Sequence, residues 1–174
     1  MGWMHQTVLQ AMAVSPEALL WPFARRYVAG RSWPEAIKTL HSLKTAGLLT
    51  TVDVLGESET DPRRIDQAAA LYRQVLDTLA ADQLDGNISI KLSQFGLLAD
   101  PERCLATVQQ LVQHAGQQFV RLDMEDSACT DATLAIYRRL RQTHSNVGIV
   151  LQARLHRTPD DVAALMAEGI AHIR

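Results

Sequence analysis

Cysteine is scarce in this chain. Cys104 and Cys129 are its two thiols in 174 residues, and they lack CxxC spacing. That excludes a disulfide framework or a cysteine-built zinc site and suits a reducing compartment. Six histidines are scattered with no HxxxH or HExxH pairing, so a helix-borne metal site is not expected. Surplus positive charge is also missing. The net charge is −2, which offers no basic face to nucleic acid. No apolar run is long enough to cross a bilayer, and the first residues lack the Lys/Arg-led apolar core of a signal peptide. The dinucleotide fingerprint GxGxxG does not occur. Trp3, Met4, Val8, Leu9 and Met12 form an amphipathic stripe, which reads as packing rather than membrane contact.

What is present is 47% hydrophobic and 21% charged sequence, the make-up of a soluble globular domain with a sizeable core. Residues 1–30 read as short helices, with Ser15-Pro16-Glu17 as a start signal. Ser32-Trp33-Pro34-Glu35 reads as a capping box for a helix that ends near Ala46, with Gly47 just beyond it. From there strands and helices alternate. Leu48–Leu55 reads as a strand, Asp61–Ala81 as a helix and Asn87–Ser93 as a strand. Asp100–Gln117 follows as a helix, Phe119–Glu125 as a strand and Thr130–Thr143 as a helix. Val147–Leu155 is a strand, and Thr158-Pro159-Asp160-Asp161 reads as a capping box for a last helix ending at Gly169. Ile170–Arg174 begins a fifth strand.

Strand then helix, repeated with short connections, implies a parallel sheet covered by helices. An open doubly wound sheet would need apolar runs on both strand faces. These strands carry apolar residues on one parity and polar residues on the other. Ile88, Ile90 and Leu92 oppose Ser89, Lys91 and Ser93. Val120, Leu122 and Met124 oppose Arg121, Asp123 and Glu125. The pattern fits an α/β fold of the (β/α)8 TIM-barrel type, with helices outside and a polar interior. A full barrel needs eight strands, so the expectation is a truncated barrel of about four βα units. Residues 1–47 form an N-terminal helical segment and residues 48–174 the partial barrel.

Under that reading Asp53, Lys91, Asp123 and Gln152 line the same mouth, at the strand ends where this fold keeps its active sites. Acid, base and amide together suit a polar heterocycle. They suit a metal poorly, and no Ser-His-Asp or Cys-His arrangement points to a nucleophile. A structural ion-pair layer, with Lys91 joined to Asp53 or Asp123, is the plain alternative. Arg154, His156 and Arg157 read as solvated loop residues.

Four stretches resemble the bacterial proline dehydrogenase family. They are Thr51–Glu57 (TVDVLGE), Asn87–Leu97 (NISIKLSQFGL), Phe119–Ser127 (FVRLDMEDS) and Asn146–Thr158 (NVGIVLQARLHRT), preceded by the lead-in Phe23–Gly30 (FARRYVAG). The resemblance implies an FAD-dependent barrel enzyme that oxidises L-proline to 1-pyrroline-5-carboxylate and passes electrons to a quinone at the membrane. It implies that Lys91 lies beside flavin and substrate and that Asp53 lines the substrate side. It places Asp123 and Gln152 on the flavin ring region and Arg174 near the reactive flavin nitrogen. A cytoplasmic protein, peripheral on the inner face of the membrane, follows from quinone use. The family's later strands, and the last helix with its paired arginines for the proline carboxylate, have no counterpart in the sequence, so the chain alone is expected to be inactive. A non-catalytic fragment or interaction module, a dimerising half-barrel and another barrel enzyme acting on a phosphorylated substrate are the alternative readings.

Overall fold

The computed structural model describes residues 21, 22 and 24–174. The expected helices of residues 1–20, the Ser15-Pro16-Glu17 start and the Trp3–Met12 stripe lie outside the described residues. The chain divides into two compact units, Met1–Leu48 and Leu49–Arg174.

In the first unit, α1 spans Trp33–Thr45 with proline in its first turn. Ser32 is the N-cap, but its side chain makes no capping bond. Glu35 Oε2 instead accepts from the Arg31 N–H at 3.0 Å. The expected capping box is therefore only half formed, displaced by one residue. Gly47 follows at φ 72, and the Leu48 N–H closes the end on the Leu43 carbonyl at 3.0 Å.

The second unit holds four parallel strands in the order β1-β2-β3-β4. They are β1 (Thr50–Asp53), β2 (Gly86–Ile90), β3 (Val120–Leu122) and β4 (Val147–Ile149). Between and after them lie α2 (Pro62–Ala81), a 3-10 helix (Leu92–Phe95), α3 (Pro101–Ala115), α4 (Ser127–Arg141) and α5 (Thr158–Ala167). Neighbours in sequence are neighbours in the sheet. Right-handed crossovers then place successive helices on one face of the sheet. There α2 packs on β2 and α3, and α4 packs on β4 and α3. The other face is left to the polar parity, as in a sector of a (β/α) barrel.

Register carries that parity across the strands. Ile88 pairs with Val120 and Val120 with Val147, while Ile90 pairs with Leu122 and Leu122 with Ile149. All six are fully buried. One residue out of step runs the opposite row, Asp53–Ser89–Arg121–Gly148.

Every strand is shorter than its alternating pattern. After Ile90 the chain tightens into the 3-10 helix, whose four side chains are all buried. Lys91 thus caps that helix and is not a strand residue, and Ser93 turns off the expected face. Some ladder bonds persist beyond the strands: the Asp123 N–H donates to Ile90 O and the Val150 N–H to Leu122 O, both at 2.8 Å. The start of the fifth strand is present. Ile173 bridges Ile149 in parallel, and the Leu151 N–H reaches Arg174 O at 3.1 Å.

Two caps form as the sequence reads. Asp61 accepts from the Arg63 N–H at 2.9 Å, and Asp100 from the Arg103 N–H at 3.0 Å. Two starts differ. Helix α4 begins at Ser127, so Thr130 lies in its first turn, buried, with its hydroxyl returned to Asp126 O. Thr158 is the first residue of α5 rather than its cap. Its hydroxyl donates to Gln152 O at 2.6 Å, so the expected capping box does not form.

Candidate active site

The carboxyl ends of the strands collect the charged residues. Asp53 ends β1, Lys91 follows β2, and Asp123 follows β3. Lys91 Nζ lies 3.2 Å from Asp53 Oδ2, with both side chains partly open to solvent. Burial alone would lower the Lys91 pKa. The facing Asp53 carboxylate outweighs it, with Asp123 and Glu57 adding, and the net shift is upward. Lys91 is therefore held as a cation.

A second pair stands beside the first. Arg174 Nη2 donates to Asp123 Oδ1 at 2.9 Å. The Ser89 hydroxyl, facing the same way from β2, donates to the same oxygen at 2.6 Å. The alternative of an internal ion-pair layer is thus partly realised, with Lys91 on Asp53 and not on Asp123. Arg121 lies in the same inner row with its guanidinium 5.0 Å from the centre of the Phe119 ring. Burial lowers its pKa, and nearby Arg174 lowers it further.

Glu125 shares parity with Asp123 but does a different job. Its Oε1 accepts the Ser93 N–H at 3.0 Å, and its Oε2 accepts the Ser93 hydroxyl. Ser93 Oγ in turn accepts the Ser58 N–H at 2.9 Å. One carboxylate therefore ties the loop after β1, the 3-10 helix and the end of β3 together, directly beside Lys91. The sequence signal for this is the Glu125 parity, which predicts an inward-pointing side chain.

Gln152 lies beyond β4 rather than on an inward strand position. Its Nε2 donates to Met124 O at 3.3 Å, and its Oε1 is buried with no partner among protein groups. Tyr72 is the residue that sequence reasoning missed. It occupies a core position of α2 and is fully buried. Its hydroxyl accepts the Val54 N–H at 3.1 Å and lies 3.2 Å from Asp53 Oδ1. An apolar-spaced tyrosine in a helix gives no sign of that contact in sequence. Arg154 and His156 are exposed. Arg157 pairs with Asp131 at 2.7 Å and Asp161 at 2.8 Å.

The structure thus brings Asp53, Lys91, Asp123 and Arg174 to one end of the sheet, with Gln152 on the loop after β4. Two fixed cations among carboxylates can stabilise charge developing on a ligand. The unpartnered Gln152 oxygen adds an acceptor for a ring N–H, so the residues present fit a flavin ring. Among the described residues no cluster of His, Cys, Asp and Glu could hold a metal ion, and no helix is long and apolar enough to cross a membrane.

Parallel strands in sequential order, helices on one face and a charged cluster at the carboxyl strand ends define a (β/α)-barrel protein, with the cluster where that fold places its active sites. The comparisons with known proteins agree. The family model described as Proline dehydrogenase matches residues 36–172, and the chain belongs to that family. It is similar to proline dehydrogenase 1 of Bacillus subtilis subsp. natto, at 36% identity over 141 residues, 80% of this chain and 47% of that protein. Proline dehydrogenase of Deinococcus radiodurans is 31% identical over 153 residues, 84% of this chain and 49% of that protein. The chain spans about half the length of the curated relatives it matches. A solved structure of proline utilization A (PutA) from Bdellovibrio bacteriovorus, inactivated by N-propargylglycine, superposes with a TM-score of 0.75 at 20% identity. The match covers 85% of this chain and 19% of that one, and it shows the shared fold.

Proposed function

We propose that this chain supplies the flavin-facing sector of a proline dehydrogenase, an FAD-dependent enzyme that oxidises L-proline to 1-pyrroline-5-carboxylate and delivers the electrons to a quinone. The observation that carries the reading is the Lys91–Asp53 pair at 3.2 Å beside the Asp123–Arg174 pair at 2.9 Å. FAD, when bound, supplies the redox chemistry, taking up the hydride equivalent removed from proline.

The chain's own residues then have distinct tasks. Lys91 and Arg174 set positive charge where reduction leaves negative charge. Asp53 fixes the Lys91 ammonium and lines the substrate side. Asp123 orients Arg174, and Gln152 offers its free oxygen to the ring edge. A cation already fixed by its carboxylate costs little reorganisation when charge appears. Family membership supports the substrate class. Quinone use would place the protein in the cytoplasm, peripheral at the inner face of the membrane.

The sector is proposed to need the rest of a barrel. The match covers only about half of each relative, and four strands cannot close a site that eight surround. The test joins this chain at Arg174 to the remaining half of the Bacillus subtilis relative. Dye reduction that depends on proline and FAD is expected from the folded fusion, and none from the 174-residue chain by itself. A folded fusion that binds FAD and ignores proline would reject the reading.

A further inference from the structure

Tyr72 reaches the charged cluster from the opposite side of the sheet. Its ring belongs to the core beneath the strands, packed against Phe95 with centroids 5.9 Å apart. Its hydroxyl ends between β1 and β2. There it accepts the Val54 N–H at 3.1 Å. Its single proton has three acceptors in reach: Ser89 O at 3.0 Å, Asp53 Oδ1 at 3.2 Å and Val54 O at 3.4 Å. A carboxylate is a stronger acceptor than an amide carbonyl. Asp53 meets Tyr72 through Oδ1 and Lys91 through Oδ2. The two oxygens of one carboxylate therefore face two different partners.

We propose that Tyr72 is a positioning residue for the site: its buried hydroxyl anchors Asp53 Oδ1 so that Oδ2 stays aimed at the Lys91 ammonium. The geometry requires nothing more than what each group already does. Asp53 ends β1, and its carboxylate meets Tyr72 at one oxygen and Lys91 at the other. A carboxylate gripped at one oxygen loses most of its freedom about χ2. Lys91, on a four-carbon stem, then finds its partner in one place. Glu57 and Asp123 also act on Lys91, but neither is within salt-bridge distance of it. Burial, with the neighbouring Asp53 charge, raises the Tyr72 pKa far above the usual phenol value, so the hydroxyl keeps a proton to donate. Its bearing on proline oxidation rests on the function proposed above, but the contact itself does not.

The test therefore reads the contact and not turnover. The chain has three lysines, Lys38, Lys44 and Lys91. Reductive methylation at fixed pH, followed by peptide mass spectrometry, gives the Lys91 rate relative to exposed Lys38. Tyr72→Phe is expected to speed Lys91 several-fold, in the same direction as Asp53→Asn. Tyr137→Phe removes another buried tyrosine hydroxyl, one bonded to Ile170 O, and is expected to leave the ratio unchanged. An unchanged ratio in folded Tyr72→Phe would overturn the proposal. A second measurement leaves Tyr72 in place, for the case in which its removal unfolds the chain. With carbon-13 in the tyrosine rings, the Tyr72 Cζ resonance is expected to move on Asp53→Asn. A stationary resonance would overturn the proposal just as directly.

Discussion

Lys91 sits one residue past β2, and its ammonium is fixed by Asp53 at 3.2 Å. That placement was half visible in sequence. Alternation put Lys91 on the polar parity with Ser89, and neither lysine nor parity could name the partner. Ser93 shows the limit, because the same alternation assigned it the same face. The 3-10 helix turned it instead toward Glu125. Tyr72 was illegible for another reason: its ring obeys the core pattern while its hydroxyl serves the opposite face of the sheet. Two predictions belong at this scale. Ser89 is nearly fully buried and donates to Asp123 at 2.6 Å. Ser89→Ala is expected to cost about 1.5–3 kcal/mol in urea unfolding, the range for a hydrogen bond to a charged group. The second concerns pH. Tyr72 and Lys91 both have folded pKa values raised above their unfolded ones. Such groups lend stability that is intact below the unfolded values, about 10 and 10.4, and that is lost as pH rises beyond them. Stability should therefore decline from about pH 10 upward, and Tyr72→Phe should flatten that decline. Equal slopes in both proteins would count against the assignment.

At the scale of elements, the helices follow their local signals more faithfully than the strands. Asp61 and Asp100 each precede a proline and each caps its helix through a side-chain bond. Ser32 precedes α1 in a similar context and makes no such bond. Asp100→Ala is expected to destabilise the fold by about 1 kcal/mol, the ordinary value of an N-cap. Ser32→Ala is expected to cost only a small fraction of that in the same thermal melt. The strands are shorter than their alternating patterns, and the site residues gather at their carboxyl ends. Asp53, Lys91, Asp123 and Gln152 all stand at or past those ends, where alternation no longer predicts direction. Gly148 marks the opposite need. A Cβ there would lie 2.9 Å from the His172 carbonyl oxygen and 2.7 Å from the Phe119 ring. That close approach lets the fifth strand dock along β4. Gly148→Ala is expected to loosen the Ile149–Ile173 bridge, read as faster amide exchange at Leu151 and Arg174. Unaltered exchange there would show that the glycine is not needed for docking.

For the molecule as a whole, the sequential strand order is what turns residue parity into a site. Each right-handed crossover adds a helix to the same face, so all polar rows gather on the other. The (β/α)-barrel class was legible from that parity. The role of Arg174 was not, because a lone terminal arginine carries no pattern. It entered through family resemblance, and the structure sets it 2.9 Å from Asp123. Surface pairs join successive helices, with Asp66 to Arg103, Glu102 to Arg139 and Glu168 to Arg138. They knit the outer layer without touching the inner face. The central claim is that Lys91, held by Asp53, favours the reduced form of a flavin bound on that inner face. The most direct measurement is anaerobic bleaching of the flavin band by proline, in the barrel completed at Arg174, with and without Lys91→Ala. The account predicts that the variant binds FAD and bleaches at least tenfold more slowly. Bleaching at an unchanged rate would contradict it.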